Sequence, residues 1–291
     1  MENIIETLFN GLSSGGTYAM IALGYTMVYG IAKMLNFAHG DIIMVGGYAI
    51  FVVFNSTGNP LLGLVVAILC CMVLGITVER LAYRPLRGAS PLAVLITAIG
   101  VSYMLQALAQ IVFGSNAKKP SFYEWGTVTL LGAKIEISTI VTVVCSAIIM
   151  LVLTLFVKYT KTGRAMIAVS EDRGAAELMG ISVNKIIVIT FAIGSALAAV
   201  AGFFMLWKTG TVGPTTGAMP GIKAFAAAVI GGIGSLPGAM LGGILLGVVE
   251  TISASVDFLS PFTDAIVFGM LILILLVRPS GLLGKVRREK V

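Results

Sequence analysis

Asn36, His39 and Asp41 fall within six residues of one another in AKMLNFAHGDIIMVGGY, residues 32–48, between two apolar runs. An imidazole close to a carboxylate is equipment for proton transfer or metal ligation. The rest of the sequence completes neither. His39 is the only histidine, and no second ligand stands near it. Cys70, Cys71 and Cys145 lie inside apolar runs without metal-ligand spacing and read as small buried hydrophobes. Asp41 follows Lys33 closely enough to read as an interfacial helix cap or as that lysine's partner. Glu250, in LLGVVETISAS, sits about 18 Å along its segment at 1.5 Å per residue and is the one plausible deep carboxylate. The sequence has no H-E-x-x-H and no G-x-S-x-G, and GLLGKV at 281–286 lacks the spacing and terminal hydroxyl of a phosphate loop. The chain therefore reads as a non-enzyme that does not hydrolyse ATP by that route. Uphill work would draw on an ion gradient or a partner subunit.

A second interruption lies in AVIGGIGSLPGAMLGGILLG, residues 228–247, where Gly231 to Gly238 and Pro237 break the apolar pattern. Each break follows a descending segment and precedes an ascending one, suggesting a weak parallel repeat of the first and last three segments. Unwound backbone is tolerated in a bilayer only where it lines a cavity or is buried in protein, so paired breaks point to a transport path. Glycines also let helices approach closely, and Gly238-x3-Gly242 and Gly243-x3-Gly247 fit a small-xxx-small packing face. For Asn36 and His39 the path reading and a hydrogen-bonded structural role both stand.

These residues sit in a chain that is 58% hydrophobic and 11% charged, with a mean hydropathy of +1.03. Soluble domains carry about 25% charged residues, so the sequence predicts an all-α polytopic transmembrane bundle with broken helices. One domain over residues 1–291 is expected. Apolar segments lie at 9–32, 39–56, 60–79, 91–113, 138–157, 186–207, 221–233, 238–258 and 262–278. The seventh is too short to span alone, so eight crossings plus a half-helix fit as well as nine. MENIIETLFN has two glutamates and no basic residue, unlike a signal peptide, so the first segment is expected to be retained. Lys33, Arg80, Arg84, Arg87, Lys158, Lys161, Arg164, Arg173, Lys185 and the basic residues from Arg278 onward place 14 of 19 cations on one side. That side is expected to be cytoplasmic, with the C-terminus there and the N-terminus outside. The net charge of +6 thus reflects short loops, not a nucleic-acid surface.

GRAMIAVSEDRGAAELMGISVNKI, residues 163–186, is a charged island on that cytoplasmic side. Its alanines, Met166, Ile167, Val169, Leu178 and Met179 favour helix, while Gly174 and Gly180 punctuate it. Two short helices are predicted, with Glu171 and Asp172 near the start of the second, where the helix dipole favours them. Their apolar side chains are available to dock a soluble partner.

Ala175-Ala176-x3-Gly180 resembles the tail half of the E-A-A-x3-G coupling motif of bacterial ATP-binding-cassette importer permeases, with Gly174 where the motif has Glu. A longer resemblance covers essentially the whole chain. NGLSSGGTYAMIALGYTMVYGIAKMLNFAHGDIIMVGGYA, residues 10–49, resembles the N-terminal signature of the LivH-type branched-chain amino-acid permease family. GRAMIAVSEDRGAAELMGI and VIGGIGSLPGAMLGGILLGVVE resemble its other two signatures. The resemblance implies a multi-pass subunit of the bacterial inner membrane that imports branched-chain or related amino acids. Its expected partners are a second homologous permease, two ATP-binding-cassette ATPase subunits, an extracytoplasmic substrate-binding protein and membrane lipids. The chain itself would bind no cofactor and no metal, with ATP-Mg carried by the ATPases. Coupling is expected of the segment 159–185, through Arg164, Glu171, Asp172, Arg173, Ala175, Ala176, Glu177 and Gly180. The substrate path is expected near Thr17, Tyr18, Asn36, Phe37, His39, Gly40, Gly232, Gly234 and Pro237. The alternative is an ion-coupled secondary transporter of small amino acids or amides, working without ATPases.

Overall fold

The computed structural model describes residues 2–120, 126–130 and 133–284. It is helical almost throughout: α1 Glu2–Ala32, α2 His39–Thr57, α3 Pro60–Val78, α4 Pro91–Phe113, α5 Ile137–Tyr159, α6 Lys161–Glu171, α7 Arg173–Leu178, α8 Val183–Thr209, α9 Ala218–Gly231, α10 Leu236–Ser255 and α11 Thr263–Val277. Among the described residues, seven helices are long and apolar enough to cross a membrane, namely α2, α3 with its continuation to Leu86, α4, α5, α8, α10 and Ser260–Val277. The 31-residue α1 has the length, but Gly, Thr and Tyr dilute its apolar run, and α9 is a shorter apolar helix. Every apolar segment read from the sequence is thus a helix. The pattern did not reveal the small antiparallel hairpin of β1 Thr127–Leu130 and β2 Ala133–Glu136 between α4 and α5.

The helices start and stop where local chemistry directs. Asn59 caps α3 by accepting from the Leu61 and Leu62 amides, with Pro60 in the first turn. Ser90 does the same for α4 ahead of Pro91. Gly58 and Gly210, at φ +68° and +64°, close α2 and α8 in the left-handed conformation. The end of α3 departs from regular geometry. Glu79–Tyr83 is one π-helical turn, followed by a 3-10 turn at Arg84–Leu86 that contains Pro85.

Contacts divide the chain into two compact units, Met1–Thr26, Trp125–Met150 and Lys223–Val291 against Met27–Glu124 and Leu151–Ile222. In the first unit, α10 presents two small-residue faces. A Cβ at Gly243 or Gly247 would lie 2.4 Å from Ala19 Cα or 2.1 Å from the Gly15 nitrogen, so this face carries α1. At Gly238 or Gly242 it would lie 2.3 Å from the Gly231 carbonyl or 2.1 Å from that of Ala227, so the other face carries α9. The packing expected of these four glycines is therefore present, split between two partners.

In the second unit, α2 and α3 form a hairpin against α8, the most buried of the spans. The Cys71 thiol meets the Ile42 carbonyl at 3.4 Å there. Large side chains of α4 such as Ile111 and Val112 stand exposed, as lipid-facing residues do.

Candidate functional site

The first break lies wholly in the second unit. α1 ends at Ala32, Lys33 takes a left-handed φ of 53°, and the chain turns so that the His39 amide donates to the Asn36 carbonyl at 3.1 Å. Asn36 is 3% exposed. The Tyr83 hydroxyl, from the π-helical turn, donates to Asn36 Oδ1 at 2.8 Å, while Asn36 Nδ2 has no partner among the described residues. A buried amide with one end satisfied and two N–H groups unsatisfied is costly. It is also ready to receive an acceptor.

His39 is buried beside it, and Phe37 is half-buried. Asp41 lies in the first turn of α2, where the dipole favours a carboxylate. Where the sequence suggests Lys33 as its partner, the structure supplies α4: Gln106 Nε2 donates to Asp41 Oδ1 at 2.9 Å, and the Ser102 hydroxyl bonds the same carboxylate. Gly40 packs backbone to backbone, since its Cβ would lie 2.5 Å from the Gly217 carbonyl oxygen. Replacing Tyr83 with Phe removes the one bond made by the Asn36 side chain. We expect a loss of about 1–3 kcal/mol, read as a lower thermal unfolding midpoint of the purified protein.

The first unit holds the other expected path residues. The Thr17 hydroxyl donates to the Ser13 carbonyl at 3.1 Å within its own helix. Tyr18 bonds Glu250. Glu250 in turn pairs with Lys223 at 2.5 Å, and the same ammonium meets Asp264 at 2.7 Å. Charges inside a membrane segment persist when paired, so Glu250 is one member of a triad spanning α9, α10 and α11. Lys223→Met would strand its carboxylate, at a cost on the order of 3–5 kcal/mol. Lys223→Met/Glu250→Leu should recover much of that loss. Thermal unfolding of the two variants checks the order, and equal midpoints would contradict it.

At the second break, Gly232 and Gly234 take φ of +104° and +93°. Ser235 caps α10 by accepting from the Gly238 amide at 3.2 Å, with Pro237 in the first turn. The open carbonyls at the end of α9 are filled by the segment after α11: Leu282 N–H donates to Ile230 at 2.8 Å and Leu283 N–H to Gly231 at 2.9 Å. This unwound backbone is therefore sealed by protein.

The charged island forms the two predicted helices, α6 and α7. Thr160 caps α6 through the Gly163 amide at 3.0 Å, and Asp172 caps α7 through Ala175 at 3.0 Å. α7 ends in a Schellman motif: the Ile181 amide donates to Ala176, the Gly180 amide donates to Glu177, and Gly180 takes φ +80°. The Ala-Ala-x3-Gly spacing thus has a local cause. Ala176 is the buried third-from-last residue, and Gly180 is the left-handed stop.

Met166, Val169 and Ala176 face inward, while Arg164, Glu171, Asp172, Ala175 and Glu177 are exposed. Leu178 and Met179 are 90% and 82% exposed. Arg173 turns back onto the helices. It donates through Nη2 to the Ile31 carbonyl at 3.0 Å and to that of Ala32, the last residues of α1.

Sequence reasoning missed Tyr83, Gln106 and Ser102, and with them the Glu79–Arg87 ion pair at the π-helical turn. A signal existed for Gln106, an amide inside an otherwise apolar run, and for Glu79, an acid at the edge of one. Nothing in their spacing named their partners.

A helical membrane protein with two broken segments and a polar helical island that exposes large apolar side chains has the architecture of a transporter permease. The chain belongs to the family described as branched-chain amino acid transport system / permease component, whose profile matches residues 7–276. It is 44% identical to the high-affinity branched-chain amino acid transport system permease protein BraD of Pseudomonas aeruginosa, over 99% of this chain and 98% of that one. It is 43% identical to LivH of Escherichia coli, over 99% and 97%. Among solved structures, PsaBC from Streptococcus pneumoniae in complex with Fab shares the fold, with a TM-score of 0.51, 14% identity, and coverage of 93% of this chain and 91% of that one.

Proposed function

We propose that this chain is a translocating permease subunit of an ATP-binding-cassette importer and carries leucine, isoleucine, valine or closely related amino acids into the cytoplasm. Near-full-length identity of 43–44% to two high-affinity branched-chain permeases carries the substrate assignment. In this reading the chain lies in a bacterial inner membrane with α6, α7 and the C-terminus cytoplasmic and the N-terminus outside, on the charge asymmetry of its loops. A second permease, two ATPase subunits that bind ATP-Mg and an extracytoplasmic binding protein complete the importer.

α7 supports the ATPase contact. Leu178 and Met179 are presented to solvent at the end of a capped helix whose other face is anchored, so a groove on an ATPase would cover them. Closure of the ATPases would move α7, and Arg173 would pass that motion to the end of α1. The first break follows directly, and there the unsatisfied Asn36 amide suits the carboxylate of an amino acid in transit.

The test is uptake of radiolabelled leucine into proteoliposomes holding the full complex and its binding protein. ATP-dependent accumulation, lost without the ATPases, is the expected result. Accumulation by this chain alone, driven by an ion gradient, would establish the secondary-transporter alternative.

A further inference from the structure

The surface of α4 divides into three flanks. Val94, Ala98, Leu105 and Ala109 form its buried face. Met104, Ala107, Leu108 and Ile111 form an exposed flank that is wholly apolar, as a surface covered by lipid is. The third flank has a different chemistry. Ser102, Gln106 and Gln110 recur at every fourth position, and Tyr103 completes an arc of about 100° around the helix. All four side chains are polar. Ser102 and Gln106 are half-buried, Gln110 is exposed and Tyr103 is 68% exposed. Tyr103 stands about 18 Å from the Pro91 end of α4 and about 15 Å from the Phe113 end, at 1.5 Å per residue. An exposed phenol therefore lies at the middle of a span.

Lipid tails offer no hydrogen bonds, so an amide or hydroxyl left facing them loses those it makes in water. Polar groups inside a membrane segment accordingly face protein or a water-filled cavity. The half-buried members fix which way the flank points. Gln106 Nε2 donates to Asp41 Oδ1 at 2.9 Å and to the Ser102 hydroxyl at 3.2 Å, and that hydroxyl bonds the same carboxylate. Three side chains on two helices thus close a ring, which sets the rotation of α4 about its own axis. Asp41 is 1% exposed and lies in the first turn of α2, five residues after Asn36. From Gln110 to Ser102 the flank runs about 12 Å along α4, toward the level of Asp41 and the first break.

We infer that this flank of α4 lines the aqueous path of the importer: Tyr103 and Gln110 are its wetted side chains, and Asp41 is the positioning residue that turns them toward it. A zwitterionic aliphatic substrate must keep its ammonium and its carboxylate solvated on the way in. A phenol and a primary amide serve both ends, since each donates and accepts hydrogen bonds. The flank leads such a substrate toward the Asn36 amide. The inference rests on the importer reading above.

The experiment compares the two exposed flanks. Tyr103→Cys and Gln110→Cys on the polar side, and Met104→Cys and Leu108→Cys on the apolar side, are made one at a time. Each complex, with its binding protein, is reconstituted in proteoliposomes and treated with a charged, membrane-impermeant methanethiosulfonate. The adduct is counted by mass on this chain, above the wild-type baseline set by Cys70, Cys71 and Cys145. We expect Tyr103→Cys and Gln110→Cys to react about tenfold faster or more than the two controls, because charged reagents do not enter lipid. Modification at either polar position should also cut leucine uptake about fivefold or more. Equal rates on the two flanks overturn the inference, because the polar side is then covered as the apolar side is. Fast reaction without loss of uptake overturns it too, because substrate then passes elsewhere. If one of the two polar-side variants fails to assemble, the other carries the comparison. For the positioning role, Asp41→Leu is combined with each cysteine, and the contrast between flanks should fall below about threefold as α4 loses its fixed rotation. An unchanged contrast removes that role, and Gln106→Leu, which breaks the same ring from α4, replaces Asp41→Leu if the latter does not assemble. A wild-type complex that imports no leucine at the expense of ATP fails the importer reading instead, whatever the labelling shows.

Discussion

Reversing two charges on α7, as Arg173→Glu/Glu177→Arg, should leave a complex that assembles and hydrolyses ATP but imports leucine at about a tenth of the wild-type rate or less. The two positions contribute differently. Arg173 is half-buried against the open carbonyls of α1, where a cation gains up to about 2 kcal/mol at a partly buried helix end. A carboxylate there meets carbonyl oxygens instead, so the sign of the interaction reverses. Glu177 is exposed on the same short helix, and its reversal changes the charge offered to an outside partner. Neither position lies in a membrane-spanning helix, which is why insertion should survive. Leucine uptake and phosphate release, measured on the same proteoliposomes, check the result. Normal coupled uptake would remove α7 from the transmission route.

Alanine at Gly217 should destabilise the second unit by about 1–3 kcal/mol or more, the range for overpacking a filled core. Its Cβ would fall 1.8 Å from the Gly40 carbonyl oxygen, and the reciprocal substitution, Gly40→Ala, would meet the Gly217 oxygen at 2.5 Å. Both obstacles are backbone, so no flexible side chain can yield. Thermal unfolding of the purified permease measures the loss, and an unchanged midpoint for Gly217→Ala would refute the contact. The same contact limits what a bulky residue at Gly40 can report. Gly40→Trp blocks uptake by breaking a helix contact, whether or not substrate passes there.

The number and position of the helices were legible because burial in lipid imposes long apolar runs, and each of those runs became a helix. The island was legible for the opposite reason: charge and alanine-rich periodicity stand out in an oily chain. Its stop at Gly180 follows from residue type, whereas Gly174, also read as punctuation, lies inside α7. The polar pairings were not legible. Asn36 finds Tyr83, and Asp41 finds Gln106, across sequence separations of 47 and 65 residues. No local pattern encodes such a meeting. Glu250 was visible as a deep carboxylate, but its partner Lys223 lies on the short α9, 27 residues away in sequence. Likewise, the four glycines of α10 announced close packing without saying that they face two different helices.

The first unit joins the beginning and a middle segment of the chain to its end, and this sets a timetable. Gly15 of α1 is in contact with Gly247 of α10, yet nearly the whole polypeptide is made between them. At 5–20 residues per second that interval is on the order of 10–50 s. For all of it, the glycine face of α1 must wait in the bilayer for α10, and α9 in turn waits for the segment at Leu282–Leu283 that satisfies its last carbonyls. A ribosome that stops short of α10 therefore releases a nascent protein whose second unit can be complete while its first helix still lacks α10. Such a chain is a ready substrate for membrane proteases that survey newly inserted helices.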